Sequence, residues 1–411
     1  MEYDVLIIGG GAAGFFTALN VAQQRPEWKI AILERGNECL TKVKVSGGGR
    51  CNVTHAEFIP KTLSTNYPRG EKELLGPFHS FMTGDTMGWF EERGVELKIE
   101  DDGRMFPVTD DSQTIIDCFL REAQQLNIKV ALKQAVQQLE PPGGDRPLWT
   151  VKTKDQIWKG SQLMLATGSN PKIWKLLEEL GHTISPAVPS LFTFNIQDSR
   201  IADLPGLATE ARVQVLDESG QPTVLEATGP LLITHWGMSG PAILRLSAWG
   251  AQTLHMHSYQ FDIAVNWLGY IEEEEVALRL REIKQARGKK QVSTEAAFDL
   301  PKRLWRNLVR AAQIRTQERW ADLTRDQLSA LTRELVRGTF RVSGKSTFKE
   351  EFVTAGGVAL DEIDFRSFSS KLFPQLFFAG EVMNVDAITG GFNFQNAWTG
   401  GFIAAQAMAK K

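Results

Sequence analysis

The sequence predicts an α/β protein in which two separated stretches of the 411-residue chain build one β-sheet. Three observations predict this fold class. A strand, a Gly-rich turn, a helix and a second strand follow one another within residues 5–34, and an apolar strand followed by glycine recurs at residues 372–380. Between them, residues 191–345 show short strands and then long helical periods. We therefore expect a discontinuous sheet domain that is interrupted by an insert.

The N-terminal segment predicts a βαβ unit. Residues 5–8 form a short apolar run that ends at Gly9, residues 12–24 have helix-forming composition and end before Pro26, and residues 29–33 form a second apolar run. Short apolar runs bounded by turn residues are typical of buried strands. A strand, a helix and a second strand at this spacing imply a parallel pair of strands.

The turn between the first strand and the helix carries a Gly-x-Gly-x-x-Gly pattern. Gly9 permits the tight turn, Gly11 lets backbone amides approach a pyrophosphate, and Gly14 allows the helix to pack close to the sheet. Glu34, at the end of the second strand, can accept both hydroxyls of an adenosine ribose and would repel a 2′-phosphate. The sequence therefore predicts a site for FAD or NAD rather than NADP. The residues expected to bind are Gly9, Gly11, Ala12, Ala13, Gly14, Glu34 and Arg35.

A second glycine cluster, Ser-Gly-Gly-Gly-Arg-Cys-Asn, occupies residues 46–52. Consecutive glycines expose backbone amides, and Arg50 and Asn52 add donors, so we expect this loop to wrap a diphosphate or cover a flavin ring. Cys51 is interpreted as a small buried thiol without a catalytic role, and His55 as a structural residue. The expected cofactor-binding residues are Ser46, Gly47, Gly48, Gly49, Arg50, Cys51 and Asn52.

The next part of the chain predicts further elements of the sheet domain. Helical patterning occupies residues 83–93 and 110–126. Strands are predicted at residues 130–139, 148–154 and 162–166.

The insert is expected to contain a β-rich part and a helical part. The predicted segments are the sheet domain at 1–190 and 346–411, a β-rich inserted domain at 191–270, a helical subdomain at 271–337 and a return strand at 338–345.

A third glycine cluster completes the sheet domain. An apolar strand ends in Gly380 and Glu381, and a Gly-rich turn precedes a final helix at about 394–409. This arrangement commonly brings an acid to the ribityl chain or pyrophosphate of FAD. The helix N-terminus then stabilises the flavin edge that gains negative charge on reduction. The expected binding residues are Gly380, Glu381, Asp386, Gly390, Gly391, Phe392 and Asn393.

Composition argues against several other classes of protein. The formal charge is −3 and 42% of residues are hydrophobic, which is ordinary for a globular protein and excludes a disordered chain or a coiled coil. Cys39, Cys51 and Cys118 have no metal-type spacing, so no metal site is expected. No apolar run reaches the roughly 18 residues of a membrane span, and no signal peptide is recognisable, so we expect a cytoplasmic protein. A hydrolase is disfavoured because no Gly-x-Ser-x-Gly elbow occurs.

The three clusters together resemble a family of FAD-dependent oxidoreductases. This family includes BaiN-like steroid reductases, aminoacetone oxidases and RdsA-type rRNA dihydrouridine synthases. The block from Lys42 to Asn52 resembles the family signature, and further matches cover nearly the whole chain. The resemblance implies a Rossmann-like FAD domain of the two-dinucleotide-binding type, a β-rich insert, a helical subdomain and noncovalent FAD. It adds to the expected cofactor-binding residues Lys42, Ala166, Thr167 and Gly168.

Several positions depart from the family pattern. Ser169 replaces the usual glycine after Ala-Thr-Gly, residues 170–174 shorten the Gly-rich stretch that normally follows, Ala387 replaces a glycine and Phe392 replaces a tyrosine. The expectation of FAD binding survives these changes. The substrate of a relative does not transfer safely.

The expected reaction is hydride transfer through the flavin. We favour NAD(P)H-linked reduction of an activated C=C, in a metabolite enone or in a uracil of rRNA. NAD(P)H would bind transiently because no second Gly-x-Gly-x-x-Gly follows a strand. His235, in a Gly/Pro-rich loop, is the candidate proton donor or base. The alternatives are an FAD-dependent amine oxidase that uses oxygen and a flavin-binding regulator without turnover.

Charge is unevenly distributed along the chain. Residues 271–345 hold 17 Lys/Arg and 11 Asp/Glu, with Trp305 and Trp320 among arginines. A basic face with aromatic residues is typical of RNA binding, so residues 279–320 are a candidate RNA contact. The alternative is a solvated helix face.

Overall fold

The structure is a computed structural model that describes residues 2–144, 147–346 and 353–410. Residues 347–352, which belong to the predicted last segment of the sheet domain, lie outside this description. The chain divides into two compact units, residues 1–187 with 353–411 and residues 188–352. The finer boundaries given above remain predictions.

The chain up to residue 189 alternates strands and helices, and its core strands consist of buried apolar side chains. Its strands are β1 (Glu2–Ile8), β2 (Ile30–Leu33), β3 (Thr54–His55), β4 (Leu97–Ile99), β5 (Arg104–Pro107), β6 (Lys129–Ala131), β7 (Val136–Glu140), β8 (Trp149–Thr153), β9 (Ile157–Leu165) and β10 (Ile184–Pro189). Its helices are α1 (Ala12–Gln24), α2 (Thr41–Val45), α3 (Pro60–Ser64), α4 (Glu71–Phe78), α5 (Thr83–Glu91), α6 (Ser112–Gln125) and α7 (Pro171–Glu179).

Residues 190–346 begin and end with strands. The strands are β11 (Thr193–Asn195), β12 (Ala208–Leu216), β13 (Pro222–Thr234), β14 (Gly237–Ser239), β15 (Phe261–Asn266), β16 (Gly338–Val342) and β17 (Lys345–Ser346). The helices are α8 (Pro241–Trp249), α9 (Ala251–Met256), α10 (Glu273–Ala286), α11 (Lys302–Ala311) and α12 (Arg325–Val336). Helices α8 to α12 and strand β15 lie between the two groups of strands at the ends.

Residues 353–410 belong to the first unit. They contain β18 (Thr354–Val358), β19 (Ile363–Asp364), β20 (Ser369–Ser370), β21 (Leu376–Phe378) and α13 (Phe392–Ala409).

One sheet joins the two stretches of the first unit. Its strand order is β19-β20-β21-β9-β1-β2-β6, with β8 paired to β9 and β7 to β8. The strands from β21 to β6 run parallel, with Phe377 opposite Met164 and Leu6 opposite both Leu163 and Ala31. A C-terminal strand is therefore the neighbour of β9, which confirms the predicted discontinuous α/β fold.

Helices α1 and α13 pack against each other through small residues and aromatic rings. A Cβ on Gly401 would lie 3.0 Å from the hydroxyl of Thr17, so the two backbones approach closely. The rings of Phe16 and Trp398 lie 5.1 Å apart in the buried core. This packing joins the first half of α1 to the middle of α13 within the same unit.

The unit of residues 188–352 has an antiparallel sheet in the order β16-β15-β12-β13-β14-β11-β17. Its strands and its helices bury their apolar side chains in one hydrophobic cluster. Trp267 from the end of β15 and Trp305 from α11 belong to this same cluster. The predicted β-rich and helical parts therefore share one core.

Two strands are shorter than the sequence indicates. The single strand predicted at 130–139 is divided into β6 and β7, because Lys133 has φ +59° and turns the chain. The strand predicted at 372–379 begins only at Leu376, because the hydroxyl of Ser370 accepts the amides of residues 372 and 373 and holds a turn there.

Candidate functional site

The first glycine cluster lies between β1 and α1, where only glycine fits at two positions. Gly9 has φ +110°, and a Cβ there would lie 2.3 Å from the carbonyl oxygen of Ala166. A Cβ on Gly14 would lie 2.0 Å from the carbonyl oxygen of Gly9. The space beside Gly11 is open, since no heavy atom lies within 4 Å of a Cβ built there. This is the position at which the prediction requires room for a ligand.

Helix α1 begins without a capping side chain. Gly11 is its N-cap residue, and its first turn contains no acidic residue. The first amides of a helix have no carbonyl partner within the helix, and they carry the positive end of its dipole. Ala12 and Ala13 contribute two of these amides. The helix end therefore offers donors to an anion beside the open space at Gly11.

Glu34 is fixed by two backbone amides. Its Oε2 accepts from Gly10 N at 2.8 Å and its Oε1 accepts from Gly36 N at 2.7 Å. The half-buried carboxylate retains free lone pairs for ribose hydroxyls. Arg35, the next residue, is exposed. A cleft beside this carboxylate is lined by Ile8, Gly9, Leu33, Glu34, Arg35, Gln134, Ala135, Val136, Thr167, Asn170, Lys172 and Ile173.

The second glycine cluster is a tight turn that Gly47, Gly48 and Gly49 form with φ of +57°, +69° and +89°. The carbonyl oxygen of Ser46 closes the turn by accepting from Cys51 N at 3.0 Å. A Cβ on Gly48 or Gly49 would meet no heavy atom within 4 Å, so this side of the loop is open.

The side chains that follow this turn face the protein. Arg50 Nη1 lies 2.6 Å from a carboxylate oxygen of Glu100 and 3.4 Å from one of Asp110, and its guanidinium stacks on Phe106. Cys51 is fully buried, and burial raises the pKa of its thiol to about 12. Arg50 therefore holds the loop, and Cys51 stays a thiol.

Asn52 links the second and third glycine clusters. With its amide oriented to match its neighbours, its oxygen accepts from Gly391 N at 3.0 Å and its nitrogen donates to the carbonyl of Thr54 at 2.9 Å. Gly391 is the N-cap residue of α13 and has φ +94°. The side chain predicted to bind the cofactor thus orients the loop that begins α13.

Residues from three segments meet at Gly168. A Cβ there would lie 3.8 Å from Glu381 Oε2 and 3.9 Å from Lys42 Nζ. Lys42 and Glu381 form an ion pair of 2.6 Å. Ala166, next to the end of β9, is buried, and Thr167 is half-buried. Three features therefore meet at Gly168. They are Lys42 of the family signature, the Ala-Thr-Gly turn and the C-terminal pair Gly380-Glu381, in which Gly380 has φ +74°.

Asp386 is completely buried and pairs with Arg69, whose Nε and Nη2 donate to its two carboxylate oxygens. The side chain of Asn393 donates to and accepts from the backbone of Ala387 at 3.2 and 3.1 Å. These contacts close the loop between β21 and α13.

His55 and Phe392 form a stacked pair beneath the glycines of this loop. Their ring centres lie 4.6 Å apart at 16°, and a Cβ on Gly390 would lie 3.2 Å from the imidazole. Burial lowers the pKa of His55, which favours the neutral ring. The hydroxyl of Tyr67 donates to the carbonyl of Phe392 at 2.6 Å. His55 thus packs under the loop, consistent with a structural role.

Sequence reasoning missed Arg69, Tyr67 and Gln395. Gln395 is buried in α13, and its side-chain oxygen accepts from the hydroxyls of Thr54 and Thr86 at 2.6 and 3.0 Å. These residues act across more than 300 positions of sequence and lie in no local motif. The sequence predicted their partners Asp386 and Phe392, but not these residues themselves.

His235 lies in the unit of residues 188–352, in the turn between β13 and β14. The hydroxyl of Thr234 accepts from Trp236 N at 3.2 Å and donates to the carbonyl of Gly237 at 3.3 Å, which fixes the turn. Both His235 and Trp236 are exposed at its tip.

The sequence predicted that Trp305 and Trp320 contribute to an RNA-binding surface, and this prediction is wrong. Trp305 and Trp320 are completely buried, and their rings stack with centres 6.2 Å apart. They belong to the core of their unit and have no face available for a nucleic acid base.

A Ser–His–Glu arrangement lies in the first unit. His182 Nδ1 is 2.7 Å from Glu362, and His182 Nε2 is 3.1 Å from the hydroxyl of Ser370. The order of contacts is that of a nucleophilic triad. Ser370, however, is 2% exposed and accepts two backbone amides. The arrangement therefore links two chain segments, since a substrate does not reach a buried hydroxyl.

Residues 2–144, 147–346 and 353–410 contain no group of three or more His, Cys, Asp or Glu side chains placed to hold a metal ion. The helices in the same ranges include none that is both long and apolar enough to cross a membrane.

The residues of the first unit fit FAD. The uncapped α1 and the open space at Gly11 suit a diphosphate, the fixed carboxylate of Glu34 suits a ribose, and the cleft beside it offers room for an adenine. The Lys42–Glu381 pair continues this surface toward the third cluster.

This fold and this site define an FAD-dependent oxidoreductase with a Rossmann-type domain. The chain belongs to the HI0933-like family, whose Rossmann domain description matches residues 3–407.

Curated relatives align along the whole chain. The chain is 28% identical over 414 residues to a ribosomal RNA dihydrouridine synthase of Escherichia coli, with 98% of each chain covered. It is 26% identical over 415 residues to a 3-dehydro-bile acid delta(4,6)-reductase of Clostridium scindens, again with 98% of each covered. These relatives are enzymes, which disfavours the interpretation as a regulator without turnover.

Solved structures share the fold at lower identity. A 3-ketosteroid-delta4-(5alpha)-dehydrogenase from Rhodococcus jostii has a TM-score of 0.50 at 14% identity and covers 98% of this chain and 97% of its own. A 3-ketosteroid delta1-dehydrogenase from Sterolibacterium denitrificans has a TM-score of 0.50 at 12% identity and covers 100% and 99%.

Proposed function

We propose that this protein reduces a carbon–carbon double bond that is conjugated to a carbonyl group, with NAD(P)H as the electron donor. The observation that carries the proposal is the alignment of the whole chain with a dihydrouridine synthase and with a steroid delta(4,6)-reductase. The name of the first relative gives dihydrouridine as its product, and the name of the second gives the delta(4,6) bonds as its target. Both imply saturation of such a double bond. The flavin supplies hydride transfer when it is bound.

The chain's own residues would bind and orient the noncovalent cofactor. The amides of α1 and Glu34 would hold its ADP half, and the open faces of Gly48 and Gly49 with the α13 end would contact its flavin half. Arg50, Asn52 and Asp386 would act by holding these loops, because their polar atoms contact protein groups. The buried thiol of Cys51 does not favour a covalent link.

Reduction of the double bond also requires a proton at the carbon next to the carbonyl. His235 is the proposed donor, because its side chain is exposed on a turn whose backbone is fixed by Thr234. Its function as acid is separate from flavin binding and is tested separately.

The experiment is an anaerobic titration of the flavin-containing protein. NADH or NADPH should bleach the flavin absorbance, and a 3-keto-4-ene steroid or unmodified rRNA should restore it. Bleaching by a small primary amine, with hydrogen peroxide formed in air, would support the amine oxidase alternative. Absence of reduction by either nicotinamide would contradict the proposal.

A further inference from the structure

We propose that the basic surface formed by residues 287–319 binds the phosphate backbone of RNA. The inference deepens the proposed function, since it names RNA as the class of molecule that carries the reduced base. The role of RNA as substrate rests on the proposed function. The basic surface itself follows from the structure of the unit of residues 188–352.

The excess of positive charge in residues 271–345 is confined to residues 287–319. Residues 271–345 hold 17 Lys/Arg and 11 Asp/Glu, and residues 287–319 alone hold nine and three of these. The remaining positions hold eight of each sign and are balanced. A chain with a formal charge of −3 therefore carries one concentrated basic segment.

Hydrogen bonds to backbone carbonyl groups join three parts of the segment. Val292 N donates to the carbonyl of Glu318 at 3.0 Å, and the indole of Trp305 donates to the carbonyl of Val292 at 2.7 Å. Ser293 donates to the carbonyl of Thr316 at 2.6 Å. Trp320 N donates to the carbonyl of Lys290 at 3.0 Å, so the turn at 287–290, helix α11 and the loop at 315–319 are held side by side.

Helix α11 divides into a buried apolar face and an exposed basic face. Leu304, Trp305 and Leu308 are completely buried. The helix contains no Asp or Glu. Its exposed basic residues, which extend over about 12 Å at the rise of an α-helix, are Lys302, Arg303, Arg306 and Arg310.

Most of these like charges have no acidic partner in the protein, although Glu295 interacts electrostatically with Lys302. Within the described part of the chain, Lys302, Arg306 and Arg310 form no ion pair within 4.0 Å. Like charges three or four residues apart destabilise a helix. Helix α10 of the same unit shows the ordinary pattern, because its Arg279 pairs with Glu275. An external anion would supply the missing charges on α11.

The exposed chemistry favours the phosphates of RNA over those of a lipid surface. Guanidinium groups bind phosphate in a bidentate manner, and three of the four basic residues of α11 are arginines. A helix that lies on a lipid surface inserts apolar side chains, but those of α11 are directed into the core. Because Trp305 and Trp320 are buried, binding here would be strongly salt-dependent and nearly independent of sequence.

The test measures fluorescence anisotropy of a labelled RNA hairpin with a uridine-rich loop, titrated with the flavin-containing protein at several KCl concentrations. We expect the R306Q/R310Q variant to bind about tenfold or more weakly at low salt and to reduce the salt slope by about two, one for each lost phosphate contact. The matched control is R279Q/R281Q, which removes the same charge from α10 and should bind like the wild type. Flavin content and melting temperature verify folding.

Unchanged RNA affinity in R306Q/R310Q, or an equal loss in the control, overturns the proposal. Binding to phosphatidylglycerol vesicles without binding to the hairpin also overturns it. Reduction of a small enone without RNA binding would reject the surface and keep the proposed function. RNA binding that depends on Arg306 and Arg310, without any reduction of a double bond, would reject the function and keep the surface.

Discussion

Lys42 Nζ lies 2.6 Å from Glu381 Oε2, so an ion pair joins α2 to the residue pair that follows β21. The two residues are separated by 339 positions in sequence. Glu381 is 19% exposed and Lys42 is 67% exposed, and both approach Gly168. One charged contact thus connects the three segments expected to surround the middle of the cofactor.

Replacement of Lys42 should separate cofactor binding from stability. Because Lys42 is largely exposed and solvent screens its charge, the ion pair contributes only about 0.2–1 kcal/mol, so Lys42→Met should change the free energy of unfolding little. We expect Lys42 to donate a charge-assisted hydrogen bond to the diphosphate of FAD, and its loss should raise the FAD dissociation constant about tenfold or more. Reconstitution of the apoprotein with FAD, followed by flavin fluorescence, measures this constant. The control is Lys44→Met, which replaces an exposed lysine of the same helix. Equal affinity in both variants would contradict the role of Lys42.

Glu34→Ala should lose FAD during purification. The carboxylate orders Gly10 and Gly36 and is positioned for a ribose, so its removal affects both the loop and the ligand. The ratio of flavin to protein absorbance after gel filtration measures the loss. Glu38→Ala, which removes a nearby exposed carboxylate, should retain the cofactor. Full flavin retention in Glu34→Ala would reject the assignment of the ADP site.

Arg69→Leu should destabilise the fold strongly. It removes two charge-assisted hydrogen bonds from the fully buried carboxylate of Asp386, and breaking a buried pair typically costs about 3–5 kcal/mol. Arg366→Leu disrupts a pair with Asp364 in which Arg366 is 90% exposed, so it should cost less than about 1 kcal/mol. Urea unfolding monitored by circular dichroism compares the variants. Similar costs in both would show that the Arg69 pair adds no more than a surface contact.

The stability contributed by Glu362 should depend on pH. Burial raises the pKa of this carboxyl, but hydrogen bonds from Thr183 and His182 outweigh burial and hold it below its ordinary value of 4.5. A group whose pKa is lowered on folding stabilises the protein above its unfolded pKa, and this stabilisation is lost as the pH falls through the folded pKa. The difference in unfolding free energy between wild type and Glu362→Gln should therefore shrink as the pH falls below about 4.5. A pH-independent difference would show that charge is not involved.

The parts of the site that follow from the sequence are those set by local backbone geometry. Gly9 and Gly14 are recognisable because the turn and the helix they permit lie within the same few residues. The partner of Arg50, by contrast, is Glu100, and that of Asp386 is Arg69, which only the tertiary fold brings together. The sequence therefore predicts the cofactor loops but not the side chains that hold them.

The burial of Trp305 can be predicted from the sequence of its helix. Leu304, Trp305 and Leu308 recur at the spacing of one helix face, and Arg306 and Asn307 lie between them, which predicts an amphipathic helix whose aromatic residue faces the core. The division of the strand predicted at 130–139 had no such signal, because a positive φ at a lysine is set by the surrounding fold.

His235→Ala should slow substrate reduction without affecting the flavin. Loss of a general acid typically lowers the rate about 10²- to 10⁴-fold. Because the side chain is exposed and the turn is held by Thr234, truncation at Cβ should leave the fold and flavin content unchanged. Stopped-flow measurements should show normal flavin bleaching by NAD(P)H and slow reoxidation by the substrate. His257→Ala, another exposed histidine of the same unit, should reoxidise at the wild-type rate. If both half-reactions of His235→Ala match the wild type, the proton comes from another group.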